Sequence, residues 1–233
     1  MAVQQRKLAR GYASANLSLQ LDEWASETYF AGAILDEETG EKLEYSDLLK
    51  RPELRERWMR SLANKLGRLS QGIRDVKGTN TIYFIPKSEI PMDRRRDITY
   101  GRIVVAYKPD KLEKHRARLT VGGDRINYPG DTGAPTADLP VIKLLWNSVL
   151  SSPGAKYFTM DISNFYLNSP LPRPEYMQMP IKLMPDKIIQ KYKLNEIDEQ
   201  GMVYMKIVKG MYGLPQAGKL SNELLIKRMR TAG

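Results

Sequence analysis

A single carboxylate, Asp161, lies between two apolar segments of the chain. The β-type run YFTM (157–160) precedes it, and FYL (165–167) follows it closely. An aspartate at the end of a strand can cap the following turn through its side-chain oxygen. It can also bind a metal ion, since open sheets place their sites at the carboxyl ends of strands. This stretch by itself leaves both interpretations open.

Two arginines at alternate positions form a second candidate site. In HRARLTVGGD (115–124), strand alternation places Arg116 and Arg118 on one face and the apolar side chains on the other. Two guanidinium groups on one face can bind a triphosphate or a nucleic-acid backbone in a bidentate manner. We therefore expect this strand to face a phosphate-bearing ligand.

A third candidate lies in KGMYGLPQAG (209–218). Its Gly-Leu-Pro turn leads Gln216 to the start of a predicted helix. The free N–H groups of a helix N-terminus could form the floor of a nucleotide site. The chain contains neither GxxxxGK[ST] nor GxGxxG, so phosphate binding by loops of those kinds is not predicted.

The elements that must position these residues alternate irregularly along the chain. Apolar stripes bounded by Pro and Gly predict helices at 51–72, 140–152 and 215–229. Short β-type runs occur at 81–87, 102–109, 116–123, 157–160 and 203–213. DRRRD (93–97) is predicted as an exposed basic loop, and 126–140 as a long irregular connection. This order favours an α+β fold over a repeating βαβ arrangement.

The positive charge is concentrated in one block. The chain has 233 residues and a formal net charge of +10. Residues 51–125 contain 19 basic and 9 acidic side chains, whereas residues 1–50 contain 5 and 9. Such a block is expected on a surface that faces a polyanion. A solvated basic face, or a charge that only maintains solubility, would give the same composition.

Composition excludes several other classes. The chain has no cysteine and one histidine, His115, which excludes a disulfide framework and multi-histidine metal sites. No apolar run approaches the roughly 18 to 20 residues that span a bilayer. The N-terminal residues contain no continuous apolar segment of a secretory signal. We therefore expect no membrane partner and a location inside the cell, in the cytoplasm or the nucleus.

Taken in order, RARLTVGGD, TMDISNFYLN and KGMYGLPQAG resemble the reverse transcriptase of copia-type retrotransposons. WMRSLANKLGRLSQG (58–72) is similar to the Trp-bearing helix that opens that domain, and TNTIYFIPK to its first finger strand. The resemblance covers most of the chain. It implies the fingers and partial palm of a right-hand polymerase, with a mostly antiparallel sheet and packed helices. Residues 1–57 would be a spacer from the upstream polyprotein, 58–140 fingers-like, and 141–233 a partial palm.

The resemblance also implies roles for particular residues. Asp161 matches the first catalytic carboxylate, which binds two Mg²⁺ ions, and the carbonyl of Ile162 would share the second ion. Tyr166 matches the aromatic residue under the deoxyribose that excludes a 2′-hydroxyl. Gln216 matches the glutamine that contacts the incoming nucleotide.

The basic residues of the fingers are assigned in the same way. Arg118 matches the arginine that binds the triphosphate, and Lys108 is the candidate for its lysine partner. Arg116 lies on the same strand face and belongs to the same nucleotide-binding group. The implied partners are an RNA template, a DNA primer and deoxynucleoside triphosphates, with integrase and ribonuclease H as further polyprotein domains.

One departure from the family pattern matters for activity. The family's other two catalytic carboxylates are adjacent aspartates downstream of the YGLxQA helix, and this chain contains no Asp-Asp pair. One carboxylate cannot hold two Mg²⁺ ions in the required geometry. We therefore expect this polypeptide alone not to polymerise DNA. We also expect an unpaired sheet edge and exposed apolar surface, which favour aggregation or instability. The alternatives are a non-catalytic nucleic-acid-binding remnant of a decayed element and an unrelated basic α+β module.

Overall fold

A computed structural model describes residues 32–36, 39–109 and 111–232. Most of the predicted spacer, residues 1–31, therefore lies outside the described part. The described strands are β1 (Ile34–Leu35), β2 (Lys42–Leu43), β3 (Ile82–Ile85), β4 (Thr99–Tyr107), β5 (His115–Val121), β6 (Pro170–Pro180) and β7 (Met202–Lys209). The described helices are α1 (Tyr45–Leu48), α2 (Pro52–Leu69), α3 (Leu139–Ser151), α4 (Asp186–Tyr192), α5 (Leu194–Ile197) and α6 (Ala217–Ala232).

The larger sheet has five strands in the order β3-β7-β6-β4-β5. β4 and β6 run parallel, and the other neighbours in this sheet are antiparallel. β1 and β2 form a separate short hairpin. The predicted α+β class and the mostly antiparallel sheet are confirmed. Strands from 82–121 and from 170–209 share this sheet, so both predicted segments contribute to one core.

α2 covers the edge of the sheet formed by β5. The helix begins at Pro52, whose fixed φ and missing N–H suit a first turn. Its apolar stripe is buried and includes Trp58, Leu62, Leu66 and Leu69. Ser61 Oγ accepts the backbone N–H of Ala117 at 2.8 Å. α2 therefore satisfies a donor of the edge strand that another chain could otherwise pair with.

β6 was not predicted from the sequence. Pro170, Pro172 and Pro174 lie in its first half, and proline cannot donate a hydrogen bond to a neighbouring strand. The pairing of β6 with β7 is irregular between Pro170 and Glu175 and becomes continuous from Glu175 to Pro180. The prolines are therefore accommodated where the hydrogen-bonded ladder is interrupted.

The predicted strand at 157–160 is wrong. Residues 155–162 have no regular secondary structure, and all of them are exposed. None of the strands in the described residues pairs with this segment. An apolar run needs a neighbouring strand to satisfy its backbone groups and to cover its side chains. Without that neighbour, β propensity alone does not produce a strand here.

α3 forms where an apolar helix was predicted, but none of its residues is buried. Its exposed side chains include Leu144, Leu145, Trp146 and Leu150. The adjacent segment adds Tyr157, Phe158 and Met160, and Trp146 contacts Tyr157 edge-on at 5.9 Å between ring centroids. The expected exposed apolar surface is thus present. No helix in the described residues is both long and apolar enough to cross a bilayer.

Candidate functional site

Three segments that are distant in sequence meet at one end of β5. The N–H of Val121, the last residue of β5, donates to the carbonyl of Tyr212 at 2.8 Å. The N–H of Gly210 donates to the carbonyl of Ser169 at 2.7 Å. The end of β5, the turn 210–216 and the 3-10 turn Tyr166–Asn168 are therefore held together by backbone hydrogen bonds. The sequence motifs that contain Arg118, Tyr166 and Gln216 converge here.

Close backbone contact explains the glycines of this junction. Gly213 has φ +95°, a left-handed conformation, and a Cβ there would overlap the carbonyl of Val121. A Cβ at Gly210 would lie 2.6 Å from the carbonyl oxygen of Tyr166. Glycine is therefore required for the turn to approach both neighbouring segments.

Two tyrosines and a lysine form the exposed side of the junction. The ring of Tyr166 contacts that of Tyr212 edge-on, with 5.0 Å between centroids. Lys65 Nζ from α2 lies 5.7 Å from the centroid of Tyr212. Tyr166 is half-buried and packs against the core. Sequence reasoning identified Tyr166 but gave no role to Lys65 or Tyr212.

Asp161 lies in the exposed irregular segment that precedes this junction. It is not at the end of a strand, and no described residue donates a hydrogen bond to it, so it does not cap the following turn. Within the described ranges, no three His, Cys, Asp or Glu side chains are arranged to bind a metal ion. Asp161 and the carbonyl of Ile162 would supply two oxygen ligands, and Mg²⁺ takes six. This donor set falls short of a two-ion site, and Mg²⁺ at Asp161 stays a prediction.

The two faces of β5 differ in burial as the alternation of residue types predicted. Ala117, Leu119 and Val121 are buried, Arg118 is exposed, and Arg116 is half-buried. Lys108 lies at the opposite end of β5, where its N–H donates to the carbonyl of Lys114 at 2.8 Å. A strand rises about 3.3 Å per residue, which places Lys108 roughly 23 Å along the strand from Val121. The structure therefore places Arg118 nearer than Lys108 to the junction.

Gln216 immediately precedes α6, as predicted, but its side chain points into the protein. It is 1% exposed, its Nε2 donates to Glu175 Oε1 at 3.2 Å, and its Oε1 has no partner among the described residues. A nucleotide could contact this side chain only after it leaves Glu175. Its predicted contact with a nucleotide stays a prediction.

The basic stretch 93–97 is not simply an exposed loop, which corrects the expectation for DRRRD. It forms a 3-10 helix, Met92–Asp97, and Arg94 is half-buried. Arg94 Nη2 lies 2.6 Å from Glu175 Oε2, and Arg173 Nε lies 3.2 Å from Oε1 of the same carboxylate. Glu175 itself has no exposed surface. The sequence offered no signal for the pairing of Arg94 with Glu175, because these two residues are 81 positions apart.

Comparison with known proteins gives no match: no protein-family profile, curated protein or solved structure is significantly similar to the chain.

Proposed function

We propose that the chain forms the fingers and part of the palm of an RNA-directed DNA polymerase of the copia type. The observation that supports it is the convergence of the three motif-bearing segments at one end of β5. Each segment alone is compatible with ordinary packing. Their meeting would bring a phosphate-binding strand, a sugar-contacting tyrosine and a nucleotide-contacting helix start to one surface, as a polymerase requires.

In this proposal, different residues of the chain bind different parts of the substrate. Arg116 and Arg118 bind phosphate oxygens of the incoming nucleotide, and guanidinium groups do so in a bidentate manner. Lys108, at the opposite end of β5, stays a separate prediction. Tyr166, held edge-on by Tyr212, contacts the deoxyribose and excludes a 2′-hydroxyl by its bulk. Bound Mg²⁺ would activate the primer hydroxyl and stabilise the charge on the phosphates. Asp161 would supply one carboxylate ligand, and further carboxylates are needed for the site.

A second function is favoured by a specific observation. Asp161 is exposed in an irregular segment, with no cluster of metal-binding side chains in the described part of the chain. The basic surface of α2 and β5 could bind nucleic acid without any such cluster. The second candidate is therefore a non-catalytic nucleic-acid-binding protein, in which Asp161 has no chemical role.

The experiment that separates the two is primer extension on an RNA template. It uses the 233-residue chain and the same chain continued through the reading frame beyond codon 233. We expect extension by the continued protein, loss of extension in Asp161→Asn, and unchanged primer-template binding in that variant. Asp138→Asn is the matched control, since it removes an exposed carboxylate next to α3.

Each outcome decides between the candidates. Binding that weakens steeply with salt, but without extension in any form, supports the non-catalytic function. Extension that survives Asp161→Asn removes that residue from catalysis. Absence of nucleic-acid binding even at about 50 mM salt contradicts both functions.

A further inference from the structure

Four basic side chains surround a small cleft between α2 and β5. Lys65 and Arg68 come from α2, and Arg116 and Arg118 come from β5. The cleft has a volume of about 60 Å³. A site for one water needs about 10–15 Å³ on this measure, so the cleft has room for a phosphate-sized anion.

These positive charges have no acidic partner within the described residues. None of the four cations lies within 4.0 Å of a carboxylate oxygen there. Glu113 also lines the cleft and accepts a hydrogen bond from Asn64 Nδ2 at 2.9 Å, so four positive charges meet one negative charge there. The cleft therefore carries a net positive charge that the protein itself does not neutralise.

The contact between α2 and β5 holds these positively charged side chains close together. Ser61 of α2 is bonded to Ala117 of β5, which fixes the helix against the strand between Arg116 and Arg118. Burial, and then the charges of Arg68, Arg118 and Arg116, lower the pKa of Lys65 from 10.5 to about 8. A bound anion would offset the repulsion between these positive charges, so the charge distribution of the cleft favours anion binding.

We propose that this cleft binds one phosphate group, with Lys65 and Arg68 as ligands alongside Arg116 and Arg118. A nucleic-acid strand and a free nucleotide both carry such a phosphate group, and the titrations below distinguish the two sources. This goes beyond the proposed function, since the resemblance gives Lys65 and Arg68 no role. The site depends on neither Asp161 nor Mg²⁺, so it can be tested independently of polymerase activity.

The first test is the binding of a fluorescent 12-nucleotide single strand to the full chain, measured by anisotropy at several salt concentrations. The double variant Lys65→Met/Arg68→Gln is expected to bind about tenfold more weakly, because it loses charge-assisted hydrogen bonds. Loss of one phosphate contact should also make the slope of log K against log salt shallower by about 0.7. Arg60→Gln is the matched control, since Arg60 lies on α2 but lines a different cleft.

A second measurement separates the effect on binding from an effect on folding. Lys65→Met removes a half-buried charge that its arginine neighbours repel, so without ligand the variant should melt at the same or a higher temperature. Weaker binding together with unchanged or increased stability is the expected pair of results. A lower melting temperature that accounts for the weaker binding would overturn the proposal.

The pH profile gives a signature that a purely structural lysine would not show. A phosphodiester stays singly charged, so strand affinity should fall as pH rises through about 8, where Lys65 loses its proton. Lys65→Arg should keep the affinity up to pH 9.5, because guanidinium stays protonated. The other charged or titratable groups that face Lys65 are Arg68 on its own helix, Arg116 and Arg118 on β5, Glu113, and Tyr212 in the turn after β7.

Two further ligands identify the source of the phosphate. Inorganic phosphate and a deoxynucleoside triphosphate without Mg²⁺ are titrated into the same variants. Weaker triphosphate binding in the double variant, with strand binding unchanged, supports the phosphate site and identifies a free nucleotide as its ligand. If binding of strand, triphosphate and phosphate is the same in the double variant and in Arg60→Gln, the cleft is not a phosphate site.

Discussion

Glu175 is fully buried although it carries a carboxylate. Arg94 Nη2 and Arg173 Nε lie 2.6 Å and 3.2 Å from its oxygens, and Gln216 Nε2 donates to it at 3.2 Å. A buried carboxylate is tolerated only when donors replace the water that it lost. These donors come from a 3-10 helix, from β6 and from the start of α6. At the residue scale, the cluster therefore links three segments next to the candidate site.

We predict that Glu175→Ala lowers the free energy of unfolding by about 3–5 kcal/mol, because two arginines lose their buried partner. Glu199→Ala is the matched control, since its pair with Lys87 is at the surface at 2.7 Å. That change should cost less than about 1 kcal/mol. Urea unfolding of both variants gives the comparison. Equal losses would show that the buried cluster contributes no more than a surface pair.

At the scale of elements, the contact between β5 and the turn before α6 determines the geometry of the junction. The end of β5 is bonded to the carbonyl of Tyr212, and Gly213 brings the two backbones into contact. This contact determines where α6 begins and where Tyr212 meets Tyr166. A small change in the turn should therefore move both the helix and the aromatic pair.

We predict that Gly213→Ala costs clearly more stability than Gly201→Ala. Both glycines have positive φ, +95° and +75°, so an alanine at either is strained by about 1 kcal/mol or more. Only at Gly213 would the added Cβ also meet a backbone atom, since nothing lies within 4 Å of one at Gly201. The difference between the two unfolding free energies, expected to be about 2 kcal/mol, measures the close approach. Equal costs would mean that the turn moves away without penalty.

At the scale of the whole molecule, the apolar content is distributed unevenly. The main core contains the buried stripe of α2, Met177 and Met179 of β6, and one face of β7, formed by Val203, Met205 and Ile207. α3 and residues 155–162 contribute apolar side chains that remain exposed, including Leu150 at 87% and Phe158 at 77%. An apolar surface of this kind marks a site of association or aggregation. The described residues do not cover it.

We predict that Leu144→Gln/Leu150→Gln reduces the binding of an apolar fluorescent dye and raises solubility. Because neither side chain is buried, the free energy of unfolding should change by less than about 0.5 kcal/mol. Leu62→Gln is the contrasting variant, since Leu62 has no exposed surface and a buried amide without partners costs several kcal/mol. Dye fluorescence and urea unfolding are measured on each. A large loss of stability in the α3 double variant would show that α3 packs against the core.

The sequence by itself determined the features that depend only on residues close together in the chain. The apolar stripe of α2, the alternation along β5 and the glycines before Gln216 predicted local structure correctly, because periodicity and backbone conformation are local properties. Tertiary structure decided the pairing of β6, which its prolines made unpredictable from the sequence. It also decided the exposure of 157–160, which has no strand beside it among the described residues. It also decided the burial of Gln216 against Glu175 and the meeting of Lys65 with Arg118. Pairing, burial and charge proximity depend on residues that are distant in the chain, so no local pattern could contain them.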